Sequence, residues 1–178
     1  MLRLRDHRDE AALRVLIERY QGPVYALAFR MLRNAAEAED IAQRTFIRVW
    51  KASSTYEPSA KFSTWLFTIE RHLIFNETRR RLRKPTTSLD SSPDTCPDTV
   101  DPSVGAPDEA LSQREIERAV DNALAQLQPK ARMAIQLRRF EEKNYEEIAE
   151  ILRITVPATK SLLFRARQEL RRLLQQYL

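Results

Sequence analysis

A strip rich in proline and aspartate divides the chain into two parts. Residues 85–108, PTTSLDSSPDTCPDTVDPSVGAPD, hold five of the nine prolines and five aspartates, with no basic residue. Almost no large apolar side chain is present there, so the strip cannot bury enough surface to offset the entropy cost of ordering it. We therefore predict a flexible acidic linker between a unit at residues 1–84 and a unit at residues 109–178.

Both flanking parts show helical periodicity. Two glycines in 178 residues argue against a turn-rich β fold, and leucine, alanine, arginine and glutamate are strong helix formers. Apolar spacing and helix-end signals in the first part predict helices from Glu10 to Tyr20, from Pro23 to about Met31, from Asn34 to Trp50 and from about Phe62 to Lys84, with a loop at 52–60. The fold class is therefore predicted to be all-α, with two small helical domains.

The second part ends in a helix–turn–helix pattern. Helices are predicted near Ala110–Gln126 and from Pro129 to about Phe140, and Asn144 then caps the short segment YEEIAEIL. Thr155 caps a longer basic helix, the second of the pair, which in this motif enters the major groove of DNA. The outward residues of that helix are Lys160, Ser161, Phe164, Arg165 and Arg167. These side chains suit phosphates, guanine edges and thymine methyl groups, although a plain basic hairpin remains the alternative.

The charge is distributed in blocks. Residues 1–84 carry a net charge of +7, residues 85–108 a net −5 and residues 109–178 a net +3. The run RRRLRK at 79–84 has more cations than a helix dipole requires, which favours a polyanionic partner. Aromatic residues near this run could stack on unpaired bases, although Phe62 and Trp65 are more simply explained as core. An ordinary solvated surface is the alternative for the charges.

A mixed-charge face lies on the third predicted helix. Glu39, Asp40 and Gln43 fall together at helical spacing, beside Arg44 and Arg48. Such a face is usually only solvated surface. From the residues alone it is a weak interaction site.

Little in the sequence points to an enzyme. Cys96 is the single cysteine, and His7 and His72 are far apart, so neither a disulfide nor a metal site nor a cofactor is expected. No glycine-rich phosphate loop is present. The N-terminal segment MLRLRDHRDE has no apolar signal-peptide core and no stretch is long enough for membrane insertion. The expected location is therefore cytoplasmic.

Nearly the whole chain apart from the linker is covered by three segments, AEDIAQRTFIRVW, KFSTWLFTIERHLIFNETRRR and YEEIAEILRITVPATKSLLFRARQEL. In this order, the three segments resemble the sigma-70 family, and specifically its extracytoplasmic-function (ECF) group. The resemblance implies a sigma factor that binds core RNA polymerase and promoter DNA. The first unit would be domain 2, the second would be domain 4, which also touches the β flap, and an anti-sigma factor is an expected partner.

The resemblance also assigns residues. Glu39, Asp40 and Gln43 would dock on the β′ clamp helices. The loop at 52–60 and the helix after it would read the minus-ten element and capture a flipped base, through Tyr56, Lys61, His72, Asn76, Arg79 and Arg80. The last helix would read the minus-35 element through Lys160, Ser161, Phe164, Arg165 and Arg167.

The chain departs from the usual family pattern at several positions. His72 stands where many relatives have asparagine and Glu70 where alanine is usual. Leu162 replaces a frequent arginine, and Pro157-Ala158 replaces a common Gly-Thr. These departures bear on the promoter sequence that is recognised.

Two other functions remain open from the sequence. A helix–turn–helix transcription regulator that does not bind polymerase would need a ligand or phosphorylation module in the first part. A nuclease would need clustered carboxylates able to hold a metal ion.

Overall fold

The computed structural model describes residues 1–83 and 107–177, and within these ranges the regular structure is helical, without strands. The all-α prediction is confirmed. None of the described helices is long and apolar enough to cross a bilayer. The helices are α1 (Leu2–His7), α2 (Glu10–Leu32), α3 (Ala35–Lys51), α4 (Phe62–Arg83), α5 (Pro107–Gln126), α6 (Pro129–Arg139), α7 (Tyr145–Leu152) and α8 (Val156–Leu173).

Most of the predicted linker lies outside the described residues, together with Cys96. The flexible-linker interpretation therefore stays a prediction. The last two residues of the strip, Pro107 and Asp108, begin α5, three residues before the helix start expected from the sequence.

The first unit differs from expectation at Gly22-Pro23, where α2 continues without a break. Proline removes a hydrogen bond to the carbonyl four residues earlier, but Arg19 is exposed, so water can reach that carbonyl. Val24 and Leu27 beyond the proline are fully buried. The prediction of two separate helices is wrong because burial of the turns after Pro23 outweighs the lost bond.

The start of α3 matches the prediction in part. The Asn34 side chain accepts a hydrogen bond from the Glu37 N–H at 2.9 Å, which satisfies one of the free donors of the helix end. The Glu37 carboxylate does not close a capping box, because it pairs with the guanidinium of Arg81 on α4. This ion pair instead connects the beginning of α3 to the basic end of α4.

The helix–turn–helix is present where the sequence places it. The Asn144 side chain and the Glu147 side chain exchange hydrogen bonds with each other's backbone N–H groups, forming the predicted capping box. Thr155 Oγ1 accepts from the Ala158 N–H at 3.3 Å, which caps α8 as expected. Arg153 makes the turn in the left-handed region, with φ of 51°.

The two units pack against each other over a continuous core. Buried side chains of α1–α4 and of α6–α8 form one cluster, and α4 lies directly on α7 while α2 contacts α6. Ile148, Ile151 and Leu152 of α7 are at most 1% exposed, and burial of each such side chain contributes about 1.5–3 kcal/mol. The sequence predicted two domains but not that they would share this core.

We expect Asn144→Ala to destabilise the helix–turn–helix, because the Glu147 N–H loses the side-chain oxygen that caps it. The free energy of unfolding should fall by about 1 kcal/mol. Glu150→Ala, an exposed change on the same helix, should stay within about 0.5 kcal/mol. Urea unfolding followed by circular dichroism measures both, and equal midpoints for the two variants would contradict the capping role.

Candidate nucleic-acid and protein interfaces

The α3 face presents Glu39, Asp40 and Gln43 to solvent. Asp40 Oδ2 accepts a hydrogen bond from Arg44 Nη1 at 2.8 Å, one turn further along the helix. Because Asn34 caps the helix and Ile41 anchors its inner side at 0% exposure, the outer face is held in a fixed orientation. This is a rigid polar surface suited to a protein partner.

An open groove of about 880 Å³ adjoins this face, between α2 and α3. Gln43 lies on its wall, and the floor is mainly apolar, with Ile47 of α3 52% exposed. The groove is lined by Glu10, Leu13, Arg14, Ile17, Glu18, Gln21, Ala42, Gln43, Phe46, Ile47 and Trp50. An apolar floor beside exposed polar groups has the composition of a protein-binding surface.

The C-terminal half of α4 forms a cationic surface. Asn76, Arg79, Arg80 and Arg83 line one open depression of about 400 Å³. Arg80 pairs with Glu77, with Nη2 to Oε1 at 2.6 Å, and both Arg79 and Arg80 are exposed. The structure therefore brings three of the residues predicted for minus-ten contacts onto one surface that suits a phosphate backbone.

Tyr56 does not lie free in its loop. The side chain is 5% exposed, and its ring packs edge-on against Trp65 and Phe62, with centroids 5.1 and 6.3 Å away. The tyrosine hydroxyl donates to the carbonyl oxygen of Ala60 at 3.4 Å. Aromatic packing encloses Tyr56 in this conformation, so its role in minus-ten recognition stays a prediction.

His72 occupies a half-buried position on α4, next to Arg71, whose Nη2 lies 2.6 Å from the histidine Nε2. Burial, and then the positive charges of Arg71, Arg153 and Arg48, lower the pKa of His72. The neutral imidazole is therefore favoured here. Arg153 belongs to the helix–turn–helix, so this histidine is influenced by the second unit.

The outer face of α8 remains open. Lys160, Ser161, Arg165 and Arg167 are exposed, and Phe164 is 61% exposed although it is a large apolar residue. Leu163 and Ala166 on the opposite side are buried and fix the rotation of the helix. The predicted minus-35 residues thus share one accessible surface.

Polar contacts at the junction of the two units were not foreseen from the sequence. Lys143 is buried and its Nζ lies 2.6 Å from Ser63 Oγ on α4. Lys61, predicted to contact DNA, pairs with Glu147 at 3.2 Å while its side chain stays 73% exposed. No sequence motif marks Lys143, since only the tertiary arrangement brings it to α4.

Comparison with known proteins identifies both units. The family model of sigma-70 region 2 matches residues 16–84, and the model of sigma-70 region 4 matches residues 117–170. RNA polymerase sigma-H factor of Pseudomonas aeruginosa is 32% identical over 94% of this chain and 88% of its own length. The chain belongs to the sigma-70 family. ECF RNA polymerase sigma factor SigW of Bacillus subtilis is 33% identical over 94% of this sigma factor and 91% of its own length, which agrees with the ECF group.

Solved structures share the fold of this sigma factor. The sigma factor RpoE of Bartonella quintana, solved with the anti-sigma factor NepR, matches with a TM-score of 0.70 at 23% identity, covering 91% of this chain and 96% of that one. CnrH, solved with the cytosolic domain of CnrY, matches with a TM-score of 0.67 at 24% identity, covering 94% and 90%.

Arg153→Gln is expected to raise the pKa of His72 toward its ordinary value, because it removes one like charge contributed by the second unit. An NMR titration of the imidazole signals measures this, with His72→Asn used to assign the resonance. Arg139→Gln, at an exposed position, should leave the pKa of His72 where it is. An unchanged titration in Arg153→Gln would show that the turn does not face this histidine in solution.

Proposed function

We propose that this sigma factor binds core RNA polymerase in the cytoplasm and directs it to promoters carrying minus-35 and minus-ten elements. The observation that carries the proposal is the similarity to proteins named RNA polymerase sigma factors over 94% of the chain. It acts as an initiation factor and not as an enzyme, since its roles require binding and orientation rather than bond making.

Docking on the polymerase is assigned to Glu39, Asp40 and Gln43, which would meet the β′ clamp helices. Support comes from their common exposure on one face of α3 and from the apolar groove beside Gln43. Polar residues at the rim of an apolar surface provide orientation, while the buried part provides most of the affinity.

Minus-ten recognition is assigned to α4 and the loop before it. Arg79 and Arg80 would hold the DNA backbone, and Asn76 beside them would contact bases. Separating a base from its stack costs a few kcal/mol, which cations along the strand and a pocket for the flipped base would partly offset. Tyr56 would join only after leaving its aromatic cluster, and the half-buried His72 only after the units separate, whereas Lys61 is already exposed.

Minus-35 recognition is assigned to α8, whose N-terminal part would enter the major groove. Lys160, Ser161 and Arg165 lie within the first three turns of this helix, and Phe164 and Arg167 extend the same face. The domain would also touch the β flap.

The packed arrangement differs from what promoter binding requires. Elements centred at minus 35 and minus ten lie roughly 25 base pairs apart, about 85 Å at 3.4 Å per base pair. One chain can reach both only if its two units separate, with the linker spanning the interval. The packed form is therefore proposed as a resting form, and an anti-sigma factor as its partner, since RpoE of the same fold was solved with one.

Core binding tests the proposal directly. The double variant Asp40→Asn, Gln43→Ala should lower affinity for purified core polymerase at least tenfold, or about 1.4 kcal/mol. A matched double variant elsewhere, Glu150→Gln with Gln126→Ala, should bind as the unchanged chain does. Fluorescence anisotropy with labelled sigma factor measures this. Absence of any core binding, combined with specific DNA binding, would instead favour the transcription-regulator alternative.

Arg165→Ala should weaken binding to the minus-35 element by about 1–3 kcal/mol if the guanidinium contacts a base edge. Gln168→Ala, also exposed on α8, serves as the control and should have little effect. Run-off transcription on a promoter library gives the sequence readout, because loss of a base contact relaxes one position of the selected element. Loss of activity without relaxation would indicate a phosphate contact.

A further inference from the structure

A buried carboxyl lies where α4 meets the second unit. Glu70 is 0% exposed, and neither carboxyl oxygen has a hydrogen-bond partner. An ionised carboxylate in such a position is costly, since water has been removed and no donor replaces it. The family resemblance gives no role to this residue, because alanine is usual at the position.

The charges acting on Glu70 come from both units. Arg30 belongs to α2, and Glu141 belongs to the loop between α6 and α7. Arg30 Nη2 and Glu141 Oε1 lie 3.0 Å apart, and the Arg30 guanidinium lies over the Phe140 ring at 4.3 Å. The carboxyl therefore sits beside an ion pair that crosses from one unit to the other.

This environment favours the protonated acid. Burial, and then the negative charge of Glu141, raise the pKa of Glu70 well above its ordinary value, while Arg30 acts in the opposite direction. Burial also raises the pKa of Glu141. When the units separate, both burial and the neighbouring Glu141 are removed, so the pKa of Glu70 returns toward that of an exposed glutamate.

We propose that Glu70 acts as a clasp between the two helical units: its protonation state decides whether the units pack together or separate. The neutral carboxyl permits α4 to close against the loop that carries Glu141. Ionisation places an unpartnered negative charge in the same position, and this charge opens the junction. The proposal requires no ligand or partner protein.

The direction of the pH dependence follows from linkage. The packed form has the higher pKa at Glu70, so it binds this proton more tightly than the separated form. The contribution of Glu70 to closure is fully present below the pKa of the separated form. It decreases as pH rises and is lost above the pKa of the packed form.

Two basic groups on or near α4, Lys143 and His72, affect closure with the opposite pH dependence. Burial lowers the pKa of Lys143 in the loop, and the pKa of His72 on α4 is lowered by burial and by charges that include Arg48 of α3. Each of these two bases is favoured neutral when packed, so each favours closure at higher pH. Substitutions at Glu70 leave both bases in place, and the difference between variants therefore isolates the carboxyl.

Glu147 of α7 is a further acid of the second unit, beside the start of α4, whereas Glu37 of α3 faces α4 within the first unit and pairs with Arg81. Although burial opposes it, the Asn144 N–H bond and the Lys61 ion pair lower the pKa of Glu147. Its ionised form is therefore compatible with packing. Glu70 and Glu141 are the acids at the junction whose ionisation opposes closure.

Small-angle X-ray scattering of the full chain tests the clasp. As pH rises, the radius of gyration of the unchanged chain should increase from a compact value of about 16 Å for a chain of this length. Glu70→Gln should expand less than the unchanged chain as pH rises, because the amide cannot ionise. Glu150→Gln, which removes an exposed acid from α7, should expand as the unchanged chain does.

Two results would overturn the proposal: the same expansion in Glu70→Gln as in the unchanged chain, or no expansion of the unchanged chain at any pH. Circular dichroism checks folding, and Glu70→Ala provides the same comparison if the amide disrupts packing. The consequence for DNA, exposure of His72 on opening, rests on the proposed function. Scattering uses neither polymerase nor DNA, so failure of the clasp and failure of the proposed function are distinguishable.

Discussion

The packing of α4 between the two units is the contact on which the rest of the structure depends. Leu66 and Ile74 on its inner side are fully buried, and α7 covers another side of the same helix. The cationic end with Arg79 and Arg80 extends beyond this contact. One helix therefore stabilises the first unit, receives the second unit and carries the residues proposed to hold the minus-ten strand.

The junction combines apolar burial with charges that weaken it. Ile148 and Ile151 of α7 provide hydrophobic stabilisation, whereas Lys143 and Glu70 are polar groups whose desolvation opposes closure. A purely apolar junction would hold the units together more firmly. A mixed one is easier to open, which the proposed recognition of two separate promoter elements requires.

Local features of the fold were predictable in detail. The caps at Asn144 and Thr155 are formed as expected, because a capping bond involves residues only three apart in sequence. The continuity of α2 was not predictable from the same kind of signal. Pro23 is a local helix breaker, and its cost is offset by burial of Val24 and Leu27, which depends on packing against distant helices.

The sequence by itself determined the helical class, the helix–turn–helix and the exposed cationic faces, since periodicity, capping and charge are properties of short segments. The basic face carrying Lys160 and the mixed-charge face carrying Gln43 were foreseen in this way. Only the tertiary structure decided that Tyr56 is enclosed, that Lys143 reaches α4 and that Glu70 is buried beside an ion pair. Burial depends on neighbours far apart along the chain, and no local pattern records which neighbours those are.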